Sequence, residues 1–224
     1  KGRSNLLGKD DLQTLATLNN LASVLQRLGK VDQAANFFEQ VLENRRRILG
    51  DDHTATLSAL GNLGAHYATS GRLDRAAIIF KEVINGQDAS LGPDHPDTLT
   101  NRHNLALLLL DLEQFEESEE VARQALTGLV NSLGSRHPLT LATESVLAGV
   151  LDRQGQHVQA RELHAEAVEG IRAKLGDSHP TPLDILFRFA EHLEATGEYR
   201  RALEILDLAI PGHVQQYGKD HPYT

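Results

Sequence analysis

Parts of the nonapeptide Leu91-Gly92-Pro93-Asp94-His95-Pro96-Asp97-Thr98-Leu99 return along the chain at a fixed interval. A Leu-Gly pair stands at Leu7-Gly8, Leu49-Gly50, Leu91-Gly92, Leu133-Gly134 and Leu175-Gly176, each 42 residues after the last, and Tyr217-Gly218 continues the series. Three residues past each Gly come Asp11, His53, His95, His137, His179 and His221, and Pro follows the last four. Self-similarity at a fixed period of this length marks a repeat architecture. The spacing predicts repeats at about residues 11–50, 53–92, 95–134, 137–176 and 179–218, with 219–224 the start of a truncated sixth. The opening residue Lys1 and the break inside His221-Pro222-Tyr223-Thr224 predict an excised piece of a longer protein.

Inside one repeat the apolar residues fall twice into helical spacing, first at Leu18, Leu21, Ala22 and Leu25, then at Ala34, Phe38, Val41 and Leu42. Gly29 separates the two stripes, as Gly71, Gly155 and Gly197 do later, and a Gly just past a helix end closes it by turning left-handed. Glu113 holds that place in the third repeat, so its turn is expected to close differently. Pro after the recurring His sits at a helix start, where its missing N–H costs nothing. Each repeat therefore reads as helix, tight turn, helix, short loop. A lone hairpin cannot cover both stripes, so neighbouring hairpins must stack. Gly86, Gly128, Gly170 and Gly212 recur late in the second helix, where Gly costs about 1 kcal/mol of helix stability. A close approach by an adjoining backbone is the expected compensation, and Pro211 predicts a kink or end in the last of these helices.

Leu18, Leu21, Ala22, Leu25, Gly29, Ala34 and Phe38 form a small-and-large pattern that resembles a tetratricopeptide repeat. Small residues recur at Ala22, Gly64, Ala106, Ala148 and Ala190 in the first helices and at Ala34, Ala76, Ser118, Ala160 and Ala202 in the second, where bulk would force the helices apart. The ordinary unit has 34 residues; the 42-residue period and the motif Leu91 to Leu99 followed by Asn104-Leu105-Ala106 are similar to the kinesin light chain type. The resemblance implies an all-α fold, a right-handed α-solenoid of stacked antiparallel helical hairpins. Such arrays also look like the sensor regions of large nucleotide-binding signalling NTPases of the STAND type.

The resemblance implies a concave groove lined by first helices, here Ala16, Asn19, Asn20, Ser23, Gln26 and Arg27 and their equivalents at steps of 42. The candidate peptide-binding residues on that face are Asn19, Asn20, Arg27, Asn62, His103, Asn104, Leu107, Leu110, Asp111, Arg153 and Arg188. Asn20, Asn62 and Asn104 form a ladder whose carboxamides can pair with an extended peptide backbone whatever its side chains, or can bond neighbouring helices instead. Val146 and Arg188 replace the Asn in the fourth and fifth repeats. Leu107 and Leu110 offer either an apolar hot spot or cover for the adjacent helix. Asp111, Asp152, Asp184, Glu191 and Glu194, with Arg153, Arg188 and Phe187 among them, form either a field for a basic partner segment or a solvated face.

Other chemistry is sparse. The 224-residue chain has a formal net charge of −9, against a nucleic-acid or anionic-membrane footprint, and no Cys, Met or Trp. The longest apolar run, Leu105 to Leu110, is far below the roughly 20 residues of a membrane helix. The segment from Lys1 to Leu6 lacks the apolar core of a signal peptide. Recurrent loop histidines lie on stacked helices about 8–10 Å apart, too far to share a zinc ion bound at about 2.0–2.1 Å, so they are expected to bond the loop or first-turn N–H groups. No phosphate loop, nucleophile elbow, H-E-x-x-H or dinucleotide glycine cluster is present, and Glu116-Glu117 and Glu119-Glu120 read as helix surface. The expectation is thus a cytoplasmic protein–protein interaction scaffold, not an enzyme, with no catalytic residue, cofactor or metal, a peptide or protein partner, and self-association through terminal repeats. The other reading is a sensor, autoinhibitory or oligomerisation region of a larger signalling NTPase.

Overall fold

Side-chain acceptors at one register position start the first helix of successive repeats. In the computed structural model, which describes residues 11–175, 183–208, 210 and 214, Asp11 Oδ1 accepts from the backbone N–H groups of Gln13 (2.9 Å) and Thr14 (3.1 Å). His53, His95 and His137 act likewise through Nδ1, accepting from Ala55 (3.1 Å), Asp97 (3.2 Å) and Leu139 (3.2 Å). Each satisfies at least one of the N–H groups that a helix start leaves without an intrahelical partner. The loop histidines are therefore helix caps, and Asp11 performs their task with a carboxylate; His179 and His221 lie outside the described residues.

Ten helices and no strand occur among the described residues: α1 (Leu12–Arg27), α2 (Val31–Leu49), α3 (Thr54–Thr69), α4 (Leu73–Ser90), α5 (Pro96–Asp111), α6 (Phe115–Leu133), α7 (Pro138–Arg153), α8 (His157–Leu175), α9 (Leu183–Ala195) and α10 (Tyr199–Asp207). The chain divides into a unit up to Leu108 and a unit from Leu109 onward. In the first, α1 packs on α2, α2 on α3 and α3 on α4; in the second, α6 packs on α7, α7 on α8, α8 on α9 and α9 on α10, and α7 also meets α9. This is the all-α stack of hairpins that the repeat pattern predicts.

The small residues lie where the helices cross. Ala22, Ala34, Ala76, Ala106, Ala148 and Ala160 are wholly buried, and a side-chain carbon added at Gly64 would stand 2.9 Å from Ile79 Cγ2. The later glycines serve a different purpose from the one expected. A Cβ at Gly86 would fall 2.7 Å from Leu57 Cδ2, and one at Gly170 2.6 Å from Leu141 Cδ2, so each glycine receives a buried leucine side chain of the facing helix and not a backbone. Gly128 is likewise buried in α6; Pro211 and Gly212 lie outside the described residues. The first stripe is only partly covered: Ala22 is buried but Leu21 is 42% exposed, whereas its equivalent Leu63, held between hairpins, is 6% exposed. At the other end α10 buries Ala202 and leaves Tyr199 and Leu203 largely exposed. No helix among the described residues is long and apolar enough to cross a membrane.

The third turn corrects the sequence expectation. Glu113 has φ +59°, in the same left-handed region as Gly29 (+71°), Gly71 (+77°), Gly155 (+80°) and Gly197 (+81°). Its hydrogen bonds repeat theirs: Glu113 N donates to Leu110 O (3.0 Å) and Gln114 N to Leu109 O (2.8 Å), as Gly29 N does to Gln26 O (2.9 Å) and Lys30 N to Leu25 O (2.9 Å). The turn closes in the ordinary way, and Glu bears the steric cost of a conformation that suits Gly. Glu113→Gly is expected to stabilise the chain by about 1 kcal/mol, seen as a rise of roughly 2–4 °C in the melting temperature measured by circular dichroism.

A second unfavourable placement lies on α7. Burial, followed by repulsion from Glu166, pushes the Glu144 carboxyl up to about 7. Because the folded value lies above the unfolded one, the folded chain holds an extra proton between them. That contribution is complete below the ordinary carboxyl value near 4.5 and is lost as pH rises through about 7. Glu144→Gln removes the charge, so its gain over the native chain should grow from little at pH 5 to about 1 kcal/mol above pH 8, with partial solvation limiting the effect. Thermal melts of both chains across that pH range check the sign.

Candidate functional site

In the first unit, Ser58, Gly61, Asn62 and Ala65 of α3 line a cleft with Gln87 of α4 and Asp97, Thr100, Asn101 and Asn104 of α5; its volume is about 230 Å³. The small residues at positions 58, 61 and 65 leave the floor of this cleft open. Its carboxamides are partly engaged by neighbouring helices: Asn62 Nδ2 donates to Asn19 Oδ1 (3.0 Å), and Asn101 Nδ2 to Gln87 Oε1 (2.9 Å). Asn62 and Asn104 thus border one space, while Asn20 and Arg27 lie on α1 and His103 and Leu107 are partly buried on α5, none of them lining this cleft. Nearby, buried His66 places Nδ1 3.1 Å from Gln26 Oε1, and Gln26 Nε2 donates to Thr69 Oγ1 (2.6 Å). Burial, aided by Arg72, lowers the His66 pKa against the pull of Glu39 and Asp32.

The second unit has a larger cleft of about 600 Å³, where α5 ends and α7 and α9 present their inner faces. Leu110, Asp111, Arg153 and Arg188 line it together, joined by Gly149, Asp152, Asp184, Phe187, Glu191 and His192. Gly149 shapes the floor: a Cβ there would sit 3.2 Å from Leu110 Cδ2 and 3.7 Å from Arg188 Cδ, so both side chains lean into the space it leaves. Leu110 therefore covers the adjacent helix and also borders the cleft. Partial burial pushes the Asp111 carboxyl up, while Arg188 and Arg153 pull it back. Arg188 Nη1 stands 3.7 Å from Asp184 Oδ2.

One wall of this cleft holds a group of side chains absent from the sequence-based candidates except for its central carboxylate. Asp152 Oδ1 lies 2.7 Å from His192 Nδ1 and 3.2 Å from His157 Nδ1, and Asp152 Oδ2 lies 3.3 Å from His164 Nε2. The imidazoles pack on one another and on Phe189; His164 and Phe189 are stacked with centroids 5.5 Å apart. Burial alone raises the Asp152 pKa, but hydrogen bonds from His164, His192 and His157 outweigh it and leave the carboxyl below its ordinary value. Burial also holds His164 below the usual histidine value against the pull of Asp152.

The 42-residue register contains the signal for this group. Position 157 is matched by Val31, Leu73, Phe115 and Tyr199, and position 164 by Phe38, Phe80, Ala122 and Leu206. Position 192 is matched by Val24, Leu108 and Val150, with His66 the single other histidine, and position 152 by Gln26, Ala68, Leu110 and Glu194. Three positions that the array otherwise fills mainly with apolar residues carry imidazoles around one carboxylate. Attention to the regular loop histidines hides these irregular ones.

The tetratricopeptide repeat family profile matches residues 13–89, 103–173 and 139–213. Among solved structures, the nearly identical TPR-like repeats of a candidate kinesin light chain from Podosopora anserina are 28% identical to this chain. They superpose with a TM-score of 0.71 over 92% of this chain and 97% of that one. BtubC (BKLC) from P. vanneervenii has a TM-score of 0.74 at 20% identity, covering 94% of this chain and 83% of that one. MamA 41-end from Desulfovibrio magneticus RS-1 shares the fold at 14% identity, with a TM-score of 0.59 over 91% of this chain and 97% of its own. No curated protein matches the sequence.

Proposed function

Because the chain belongs to the tetratricopeptide repeat family, whose fold generally serves protein–protein interaction, we propose that it is a scaffold that takes a peptide segment of a partner along its first-helix face, with the second unit's cleft as the main recognition point. Repeat proteins of this kind are typically not enzymes. The observation that carries the reading is Phe187. It is 50% exposed and borders the cleft, at a register position occupied elsewhere by Asn19, Gly61, His103 and Ser145. A large aromatic in a concavity where the array otherwise uses polar or small residues supports an anchor for an apolar partner side chain.

The surroundings specify the rest of the partner. Asp111, Asp184 and Glu191 rim the cleft with Arg153 and Arg188, so an apolar or aromatic residue flanked by basic ones complements it. The volume of about 600 Å³ lies in the range of small-ligand and side-chain pockets. In the first unit, Asn62 and Asn104 offer donors and acceptors suited to an extended backbone. Peptide display on the intact chain, followed by fluorescence anisotropy, tests this. Phe187→Ser, which installs the residue native at position 145, is expected to weaken the selected peptides by about tenfold or more, with a melting temperature within about 2 °C of the native chain. Unchanged affinity, or a display that returns no binder, overturns the assignment.

A further inference from the structure

We propose that Asp152, His157 and His192 form a binding site for one divalent transition-metal ion of the zinc class, set in the wall of the second unit's cleft. The ligand atoms come from helix ends: Asp152 from the last turn of α7, His157 from the first residue of α8, and His192 from the last turn of α9. Their candidate donor atoms all lie within 4.8 Å of one another. Two of the three separations, 2.7 Å and 3.2 Å from Asp152 Oδ1 to the two Nδ1 atoms, are close to the roughly 3.0–3.5 Å between neighbouring ligands that zinc bonds at about 2.0–2.2 Å impose. His157, whose side chain is 53% exposed, has the freedom to close the remaining gap.

Three further observations point the same way. His164, wholly buried, lies 3.3 Å from the other carboxylate oxygen, and such an outer contact fixes the orientation of a ligating carboxylate. The donor set of two imidazoles and one carboxylate favours zinc, cobalt, nickel or copper over magnesium or calcium, which take oxygen ligands. All three residues border the cleft, so a fourth coordination position opens toward solvent or a bound partner, as in zinc sites with three protein ligands. The register sets His157 apart: Gln26 and His66 repeat the Asp152–His192 contact in the first unit, whereas position 157 is Val31, Leu73, Phe115 or Tyr199 in the other repeats, so a structural pair does not need the added imidazole.

The same register supplies variants that preserve packing. The intact chain, stripped with a chelator and dialysed, is titrated with zinc chloride by calorimetry and with cobalt chloride by visible absorption. The native chain is expected to bind one ion with a Kd of about 1 μM or tighter and to give cobalt ligand-field bands. His157→Leu and Asp152→Ala, which install the residues native at positions 73 and 68, should weaken binding at least about tenfold and suppress the bands. His95→Asp, a cap replaced by the residue that caps α1, should leave the titration unchanged. No saturable binding by the native chain, or equal binding by His157→Leu, overturns the site. Phe187→Ser should keep the metal titration intact, so failure here and failure of the peptide reading are separate results.

Discussion

Two helices can approach only as closely as the side chains at their crossing permit, and that limit sets every other position in this chain. Complete burial of Ala22, Ala34, Ala76, Ala106, Ala148 and Ala160 fixes each hairpin at close spacing, since larger residues would open the stack. Gly86 and Gly170 carry the limit further by admitting Leu57 and Leu141 side chains into the facing helix. Residues separated by 42 occupy equivalent register positions in their helices. The inner faces of α7 and α9 then form a cleft from side chains chosen independently of the core.

The periodic features are legible in the sequence because each rests on local chemistry. A polar acceptor before a helix, a left-handed residue after it and a small residue at a crossing all leave a mark at a fixed interval. The His caps and the buried alanines follow from that logic directly. Departures from the period are harder to interpret. Local preference at Glu113 predicts a different turn, yet the turn's backbone hydrogen bonds to Leu110 O and Leu109 O go with the left-handed conformation, φ +59°, that its equivalents reach with Gly. For the glycines late in the second helices, spacing identifies the helix face but not the facing atom, which is a leucine methyl and not a backbone. The Asp152 cluster needs residues from three helices at unequal separations, so no single window contains it.

A repeat carries its own controls. Since Leu73, Phe115 and Tyr199 stand where His157 does, the environment that suits an apolar residue at this place is known from within the same molecule. The imidazole is thus visible as an exception without any other sequence. The same comparison isolates Phe187 from Asn19, Gly61, His103 and Ser145. Both exceptions border one cleft, in the unit that begins at Leu109. Chemical novelty in this chain is concentrated there, while the caps and crossings remain regular.

The thin attachment of α10 also has a kinetic meaning. Most helix contacts in this fold join neighbours in sequence, so closing them demands little loop entropy and ordering spreads hairpin by hairpin. Where α7 buries nine residues, α10 buries Ala202 alone. Amide protons of α10 should therefore exchange with solvent through frequent local opening, whereas those of α7 wait for rarer, wider events. Stability in such a chain is a gradient along the polypeptide, steepest toward the helix that has least beneath it.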